Sequence, residues 1–334
     1  MAVSTVIRAS APGRAGILGN PTDGYGGTVI SSSVAERAWC ELAPSDVWKL
    51  RIGQQTQEIH SKDDLEIRGD DLDVARSVLL ALWPVPPAAL VAGTDIPMRA
   101  GLSGSTAILA SILGAVLEHL ERSLSRYEIA ELARTIEFNI MNITCGFQDQ
   151  YMIVFGGQNY MDFRLKEPGA PDPHPFATVE PLPLHEAGCS LILGHTGVQR
   201  ISGSVHKGLR ERWIDGEEAV VEGYLEIARM AREGKKAILR GDWLTVGKLM
   251  NDNHAIQRDL GGSGESNEAL IKAALDAGAL GAKLAGAGKG GTIIALCDEA
   301  DRVKAAIDAA GADRVWPLIP SPGLQVERCG GVGG

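Results

Sequence analysis

The chain has 334 residues, of which 45% are hydrophobic and 22% charged. That is enough for two ordinary domains with a large core, and it excludes a disordered chain. The net charge of −10 removes the broad basic surface that a nucleic acid would need, so any anionic ligand must be held by local donors. The five cysteines (Cys40, Cys145, Cys189, Cys297, Cys329) stand singly, which fits a reducing cytoplasm better than a disulfide framework. The seven histidines are dispersed without an HExxH pattern, so no zinc site is expected. Met1 to Pro12 carries Arg8 and lacks the apolar run of a secretory leader. The longest uncharged apolar stretch, Gly101 to Leu117, is short for a membrane span and is interrupted by Gly and Ser.

In chain order, Thr5 to Arg8 and Gly27 to Ser33 read as strands around a glycine-rich turn. Arg37 to Leu42 and Trp48 to Ile52 continue a β-rich start. Ser103 to Leu120 reads as a buried helix and Ser125 to Phe138 as a second one. Tyr151 to Phe155 and Gln158 to Phe163 return to strand. Six of the 16 prolines then fall between Arg164 and His185. Proline continues neither a ladder nor a helix, so this segment is expected to join two domains, 1–180 and 181–334. Beyond it come a strand at Ser190 to Gly194, helices at Glu217 to Glu233, Trp243 to Gln257 and Asn267 to Ala277, a strand at Gly291 to Leu296 and a helix at Glu299 to Ala310. This mixture predicts two α+β domains, with no internal repeat.

Three glycine-rich segments and one pair of carboxylates carry chemistry. The first segment, Ala11 to Gly27, places Arg14 and Asp23 in a backbone free to turn sharply. A short carboxylate can accept hydrogen bonds from sugar hydroxyls, and an arginine can steady a phosphate. The second, Pro97-Met-Arg-Ala-Gly-Leu-Ser-Gly-Ser-Thr-Ala107, runs straight into an apolar helix. Free N–H groups at a helix start attract an anion, and a hydroxyl of Ser103, Ser105 or Thr106 can bind phosphate or ligate Mg²⁺. It is neither a Walker A loop nor a dinucleotide fingerprint. The third, Lys283-Leu-Ala-Gly-Ala-Gly-Lys-Gly-Gly291, lets backbone approach a ligand closely, with Lys289 inside the loop. Glu137 precedes Asp149, and two such carboxylates can divide metal binding from base work.

In this order, the three segments resemble the GHMP kinase family of small-molecule kinases. The stretch Leu249-Met-Asn-Asp-Asn-His-Ala-Ile also looks like the family's run into its third motif. The resemblance implies an α+β, two-domain GHMP kinase fold: an N-terminal domain like ribosomal protein S5 domain 2 and a ferredoxin-like C-terminal domain, with the active site between them. It implies ATP and Mg²⁺ as cofactors. Pro97, Gly101, Leu102, Ser103, Gly104, Ser105 and Thr106 would cradle the phosphates, with Gly286, Gly288 and Lys289 closing from the third loop. Ser105 and Glu137 would hold the metal. Asp149 would be the catalytic carboxylate, paired with Arg14, and Asn20, Asp23 and Tyr25 would meet the acceptor.

Within the family, the glucuronokinases are similar at Ala15 to Tyr25, Gly101 to Ser105, Gly146 to Asp149, Tyr160 to Phe163, Ser202 to His206 and Arg212 to Gly216. Galactokinases have an acidic residue and a histidine where this chain has Asn20 and Pro21, which argues against galactose. The expected reaction is phosphorylation of glucuronate to glucuronate 1-phosphate. Galacturonate, L-arabinose, fucose, a heptose phosphate and mevalonate stay open as acceptors, as does a non-catalytic sugar sensor. A uronate would need a cation for its carboxylate; the expected candidates are Arg200, Lys207 and above all Arg212. A monomer or homodimer, with no nucleic acid and no membrane, completes the reading.

Overall fold

The computed structural model describes residues 5–97, 99–166, 176–182, 188–198, 202–286 and 288–330. The chain opens on two long antiparallel strands, β1 (Thr5–Leu18) and β2 (Thr28–Pro44). They pair from Ile7↔Leu42 to Leu18↔Ile30, and the register shifts at Pro12/Arg14 and Gly16/Leu18, where Pro and Gly weaken the ladder. β3 (Trp48–Ile52), β4 (Gln55–Ile59), α1 (Asp73–Leu82) and β5 (Ala88–Thr94) follow. Then come α2 (Gly104–His119), α3 (Arg126–Thr135), a π-helical turn (Ile136–Ile140) and α4 (Gln148–Phe155). β6 (Gln158–Asp162) and β7 (Thr178–Pro181) complete the first half.

With the C-terminal strand β12 (Gln325–Gly330), these strands form one sheet in the order β12-β1-β2-β5-β3-β4, with β6 bridging β2 and β7. α2 lies against β1 and β2. Every residue from Thr106 to Leu117 is buried, so this helix is apolar all round because it runs through the core rather than over it.

The second half begins with β8 (Ser190–His195), continues through α5 (Ser202–Ile214), α6 (Glu218–Leu239), α7 (Trp243–Asp259) and α8 (Glu265–Asp276), and reaches β9 (Gly281–Leu284). β10 (Thr292–Cys297), α9 (Ala300–Ala309) and β11 (Arg314–Pro317) follow. Their sheet is ordered β11-β8-β10-β9 and is antiparallel throughout. Counted from β8, that order is fourth, first, third, second, which is the ferredoxin-like arrangement. β12 (Gln325–Gly330) closes the chain.

Three expectations need correction. Tyr151 to Phe155 is helix, not strand. A short apolar run buried on all sides reads alike in either state; here Tyr151 and Phe155 stack their rings one helical turn apart. The first glycine-rich segment is not a turn from Ala11 onward, because strand β1 runs through to Leu18. Partners distant in sequence hold it extended: Arg14 N donates to Leu102 O at 3.0 Å and Gly16 N to Ala285 O at 2.8 Å. The expected unit 181–334 does not stay together either, since β12 leaves it and pairs antiparallel with β1. β12 is largely exposed and shows no apolar alternation, so only the free edge of β1 marks it as a strand. Arg37 fixes the approach, donating to Ser321 Oγ and Pro322 O (2.6 Å each) and to Gly323 O (2.8 Å). Of the proline-rich connector, 167–175 and 183–187 lie outside the described residues, and part of the rest is β7.

Candidate active site

The loop before α2 bends through three left-handed residues, Arg99 (φ 57°), Gly101 (φ 76°) and Ser103 (φ 60°). Only glycine adopts that region without cost, so Arg99 and Ser103 are held there by their surroundings. Ser103 Oγ donates to Asp149 Oδ2 at 2.6 Å. The loop thus delivers the start of α2, with Gly104 and Ser105 at its first positions and Ser105 exposed. Leu102 is buried and supplies the carbonyl that receives Arg14 N. Pro97 opens the loop, its carbonyl accepting from Ala100 N at 3.3 Å.

Asp149 sits in the first turn of α4. Arg14 Nε and Nη2 each lie 2.7 Å from its Oδ1, and Arg14 Nη1 donates to Gly101 O at 2.7 Å. Arg14 is buried, whereas the Asp149 side chain keeps 30% of its surface. Arginine and loop therefore fix the carboxylate while one side stays open. α4 is aimed by Asp23, whose Oδ2 accepts from the amides of Phe147 (2.8 Å) and Gln148 (2.9 Å). A capping carboxylate is favourable at a helix start. A Cβ on Gly146 would lie 1.9 Å from that oxygen, so only glycine lets the cap close. Asp23 was expected to bind the acceptor; in the structure one of its oxygens holds the helix that carries Asp149.

Glu137 lies in the π-helical turn, a distortion frequent at functional sites. Its carboxylate is buried, accepting from Thr106 Oγ1 at 2.8 Å and from Gln150 Nε2. Burial pushes its pKa up to about 7, with Asp149 nearby adding to the rise. No ion pair balances it among the described residues. Both oxygens keep a further lone pair, so the group can bind a cation.

The third segment meets the first along β1 and its extension. Asn20 Nδ2 donates to Gly286 O at 3.4 Å, and Lys283 Nζ donates to Asn20 Oδ1 at 2.7 Å and Leu284 O at 2.6 Å. Lys283 is fully buried, and desolvation, with the Arg14 charge, lowers its pKa to about 7. Gly288 (φ 88°) has no room for a side chain, since its Cβ would fall 1.8 Å from Gly262 O. Asn267 clasps Gly290 by both amide atoms, at 2.6 and 3.1 Å. Lys289 is exposed, in the left-handed region at φ 55°.

The structure thus brings Arg14, Gly101, Leu102, Ser103 and Asp149 into direct contact, places Thr106 on Glu137, and joins Asn20 to Gly286. Tyr25 packs instead on Trp213 and Tyr224, at 5.1 and 4.9 Å between ring centres. Arg212 is spent: its guanidinium pairs with Glu217 at 2.6 Å and donates to Leu260 O at 3.0 Å. Arg200 and the side chain of Lys207 lie outside the described residues. The sequence reading assigned no role to Gln150, which bonds Glu137, and named Gly146 and Lys283 only as members of their motifs. Gln150 and Gly146 flank Asp149 closely enough in sequence to have been suspected; the contact of Lys283 with Asn20 exists only in three dimensions.

Comparison with known proteins shows the family and the fold. Residues 73–157 match the GHMP kinases N terminal domain and residues 235–313 the GHMP kinases C terminal model. A probable glucuronokinase 2 of Arabidopsis thaliana is 31% identical over 314 residues, covering 86% of this chain and 83% of that protein. The D-glycero-alpha-D-manno-heptose 7-phosphate kinase of Campylobacter jejuni is 27% identical over 308 residues, covering 87% and 89%. Among solved structures, Lactococcus lactis galactokinase complexed with galactose superposes with a TM-score of 0.78 at 19% identity, covering 96% of this chain and 95% of that one. With its two α+β units and a site assembled from the three glycine-rich segments, this chain belongs to the GHMP kinases and is a small-molecule kinase.

Proposed function

We propose that the chain transfers the terminal phosphoryl group of ATP, with Mg²⁺, to a hydroxyl of a sugar acid, and that the acceptor is glucuronate. The observation that carries the kinase chemistry is Asp149, fixed by Arg14 and Ser103 beside the start of α2. Phosphoryl transfer needs alignment and charge neutralisation more than covalent help. The N–H groups of Gly104, Ser105 and Thr106 face the anion side of the helix dipole and suit phosphate oxygens. Ser105 and Glu137 suit the metal: Glu137 is a buried carboxylate that forms no ion pair among the described residues, with Arg134 acting on it only weakly, and Ser105 is an exposed hydroxyl at the adjoining helix start. When bound, Mg²⁺ supplies charge neutralisation on the phosphates.

Asp149 takes the proton of the acceptor hydroxyl as its oxygen bonds to the terminal phosphorus. The bond from that phosphorus to the bridging oxygen breaks, leaving ADP. Arg14 keeps Asp149 oriented and adds positive charge beside the transferred group. The preference for glucuronate is supported by the 31% identity to a probable glucuronokinase. The test is an ADP-release assay with ATP across glucuronate, galacturonate, galactose, a heptose 7-phosphate and mevalonate, with products weighed by mass spectrometry. Glucuronate should give the highest kcat/KM; a win for mevalonate or a neutral sugar would refute the substrate assignment.

A further inference from the structure

Two arginines beside the site lack the acidic partner that the neighbouring cations have. Arg14 pairs with Asp149, Lys166 with Glu131 and Arg212 with Glu217. Arg134 and Arg210 form no ion pair among the described residues. Both instead lie by one ring: the guanidinium carbon of Arg134 is 3.9 Å from the centre of Phe138, and that of Arg210 is 5.6 Å from it. Arg134 also lies 4.8 Å from Phe147, and its Nε is buried without a hydrogen-bond partner.

The two charges repel each other, and burial adds a further cost at Arg134. Glu131 and Glu137 act on Arg134 from a distance and offset part of that cost, but a buried polar atom left unbonded and two cations without a contacting carboxylate, among the described residues, are unfavourable, so a purely structural role accounts poorly for them. Their position is informative. Arg134 ends α3, just before the turn that carries Glu137, and Arg210 on α5 acts electrostatically on Tyr25. Arg134, Glu137, Asp149 and Asp23 all act on the thiol of Cys145, so Arg134 lies within electrostatic reach of the same group as Asp149, and Arg210 joins it across Phe138.

We propose that Arg134 and Arg210, set about Phe138, form the subsite for the carboxylate of the acceptor, holding it while a hydroxyl elsewhere on the ring faces Asp149. Guanidinium groups bind a carboxylate by paired hydrogen bonds, and a partly buried ring beside them limits access of water. The assignment replaces Arg212, and it rests on the glucuronate reading.

The experiment compares glucuronate, glucose and glucose 6-phosphate, three acceptors that differ at the end of the molecule the arginines would hold. The enzyme and its Arg210→Met, Arg210→Lys, Arg134→Gln and Arg232→Met variants are assayed with saturating ATP, and melting temperatures check folding. Arg232 lines a separate cavity of about 350 Å³ with Trp213 and Tyr224. The parent should favour glucuronate over glucose by about a hundredfold or more in kcat/KM. Arg210→Met should raise the KM for glucuronate about tenfold or more, leave the KM for ATP unchanged and shrink that preference. Arg210→Lys should restore part of it, and Arg232→Met should change nothing. Glucuronate turnover with an unchanged KM in both Arg210→Met and Arg134→Gln would sink the clamp and leave the proposed function standing. Loss of glucuronate affinity in Arg232→Met instead would move the carboxylate to the other cavity and also overturn it. A parent that prefers glucose defeats both proposals. A parent that prefers glucose 6-phosphate, and loses that preference in Arg210→Met, overturns the carboxylate and the glucuronate reading together and assigns the arginines to a phosphate.

Discussion

Asp149 and Glu137 are both carboxylates, and their surroundings differ. Asp149 is bonded by a guanidinium and a hydroxyl and stays partly open; Glu137 is closed in with neutral partners. Asp149→Asn keeps the shape and the Arg14 contact while removing the proton acceptor. It should lower kcat by about a hundredfold to ten-thousandfold with ATP affinity nearly unchanged, read by turnover and by nucleotide titration. Glu137 makes a pH prediction. Its folded pKa of about 7 lies above the ordinary 4.5, so its stabilising contribution is complete below 4.5 and is lost as pH rises through about 7. Mg²⁺ favours the ionised form, so magnesium should raise the melting temperature more at pH 8 than at pH 6. Glu137→Gln should erase that difference; a variant whose magnesium response still varies with pH would remove Glu137 from the metal site. The identities of these residues were legible in the sequence because they fall at family-like positions. The resemblance also implied which one meets the metal and which the acceptor; what it left out is the set of groups around each, Arg14 and Ser103 on Asp149 and Thr106 and Gln150 on Glu137.

At the scale of elements, α4 shows how a short helix is aimed. With eight residues it is too short to be stable alone, and its start is capped by Asp23, far away in sequence. Gly146→Ala should push that carboxylate aside and shift Asp149. We expect a loss of stability of about 1–3 kcal/mol and a fall in kcat larger than any change in the KM for ATP. A fully active, equally stable Gly146→Ala enzyme would show that the cap does not position the site. The same contact explains the misread strand. Tyr151 to Phe155 carries no local signal separating helix from buried strand, and the deciding cap comes from another segment. α2, by contrast, was readable from its long apolar run and its small residues at the start.

On the scale of the whole molecule, the two halves are joined at Lys283 and Asn20 and again at the returning β12. Lys283 is buried with its pKa lowered to about 7 from the ordinary 10.5. Its contribution to stability is therefore complete above 10.5 and is lost as pH falls through about 7. Lys283→Met should flatten the dependence of melting temperature on pH across that window; an unchanged profile would mean that the lysine is not buried as a cation between the halves. Arg37→Ala removes the bonds that steer the chain into β12 and should cost about 1.5–3 kcal/mol, measured by denaturant melts.

The sequence alone determined the α+β character, the position of the phosphate-type loop before an apolar helix, the three glycine-rich segments and the two carboxylates. Those features are local: each rests on residue types within one turn, run or spacing. Only the tertiary structure decided that β12 belongs to the first sheet, that Asp23 caps α4, that Arg212 is already paired, and that Arg134 and Arg210 lie by one ring with no ion pair among the described residues. Each of these is a meeting of residues far apart in the chain, settled by which free edge, buried charge or open amide the rest of the fold leaves to be satisfied.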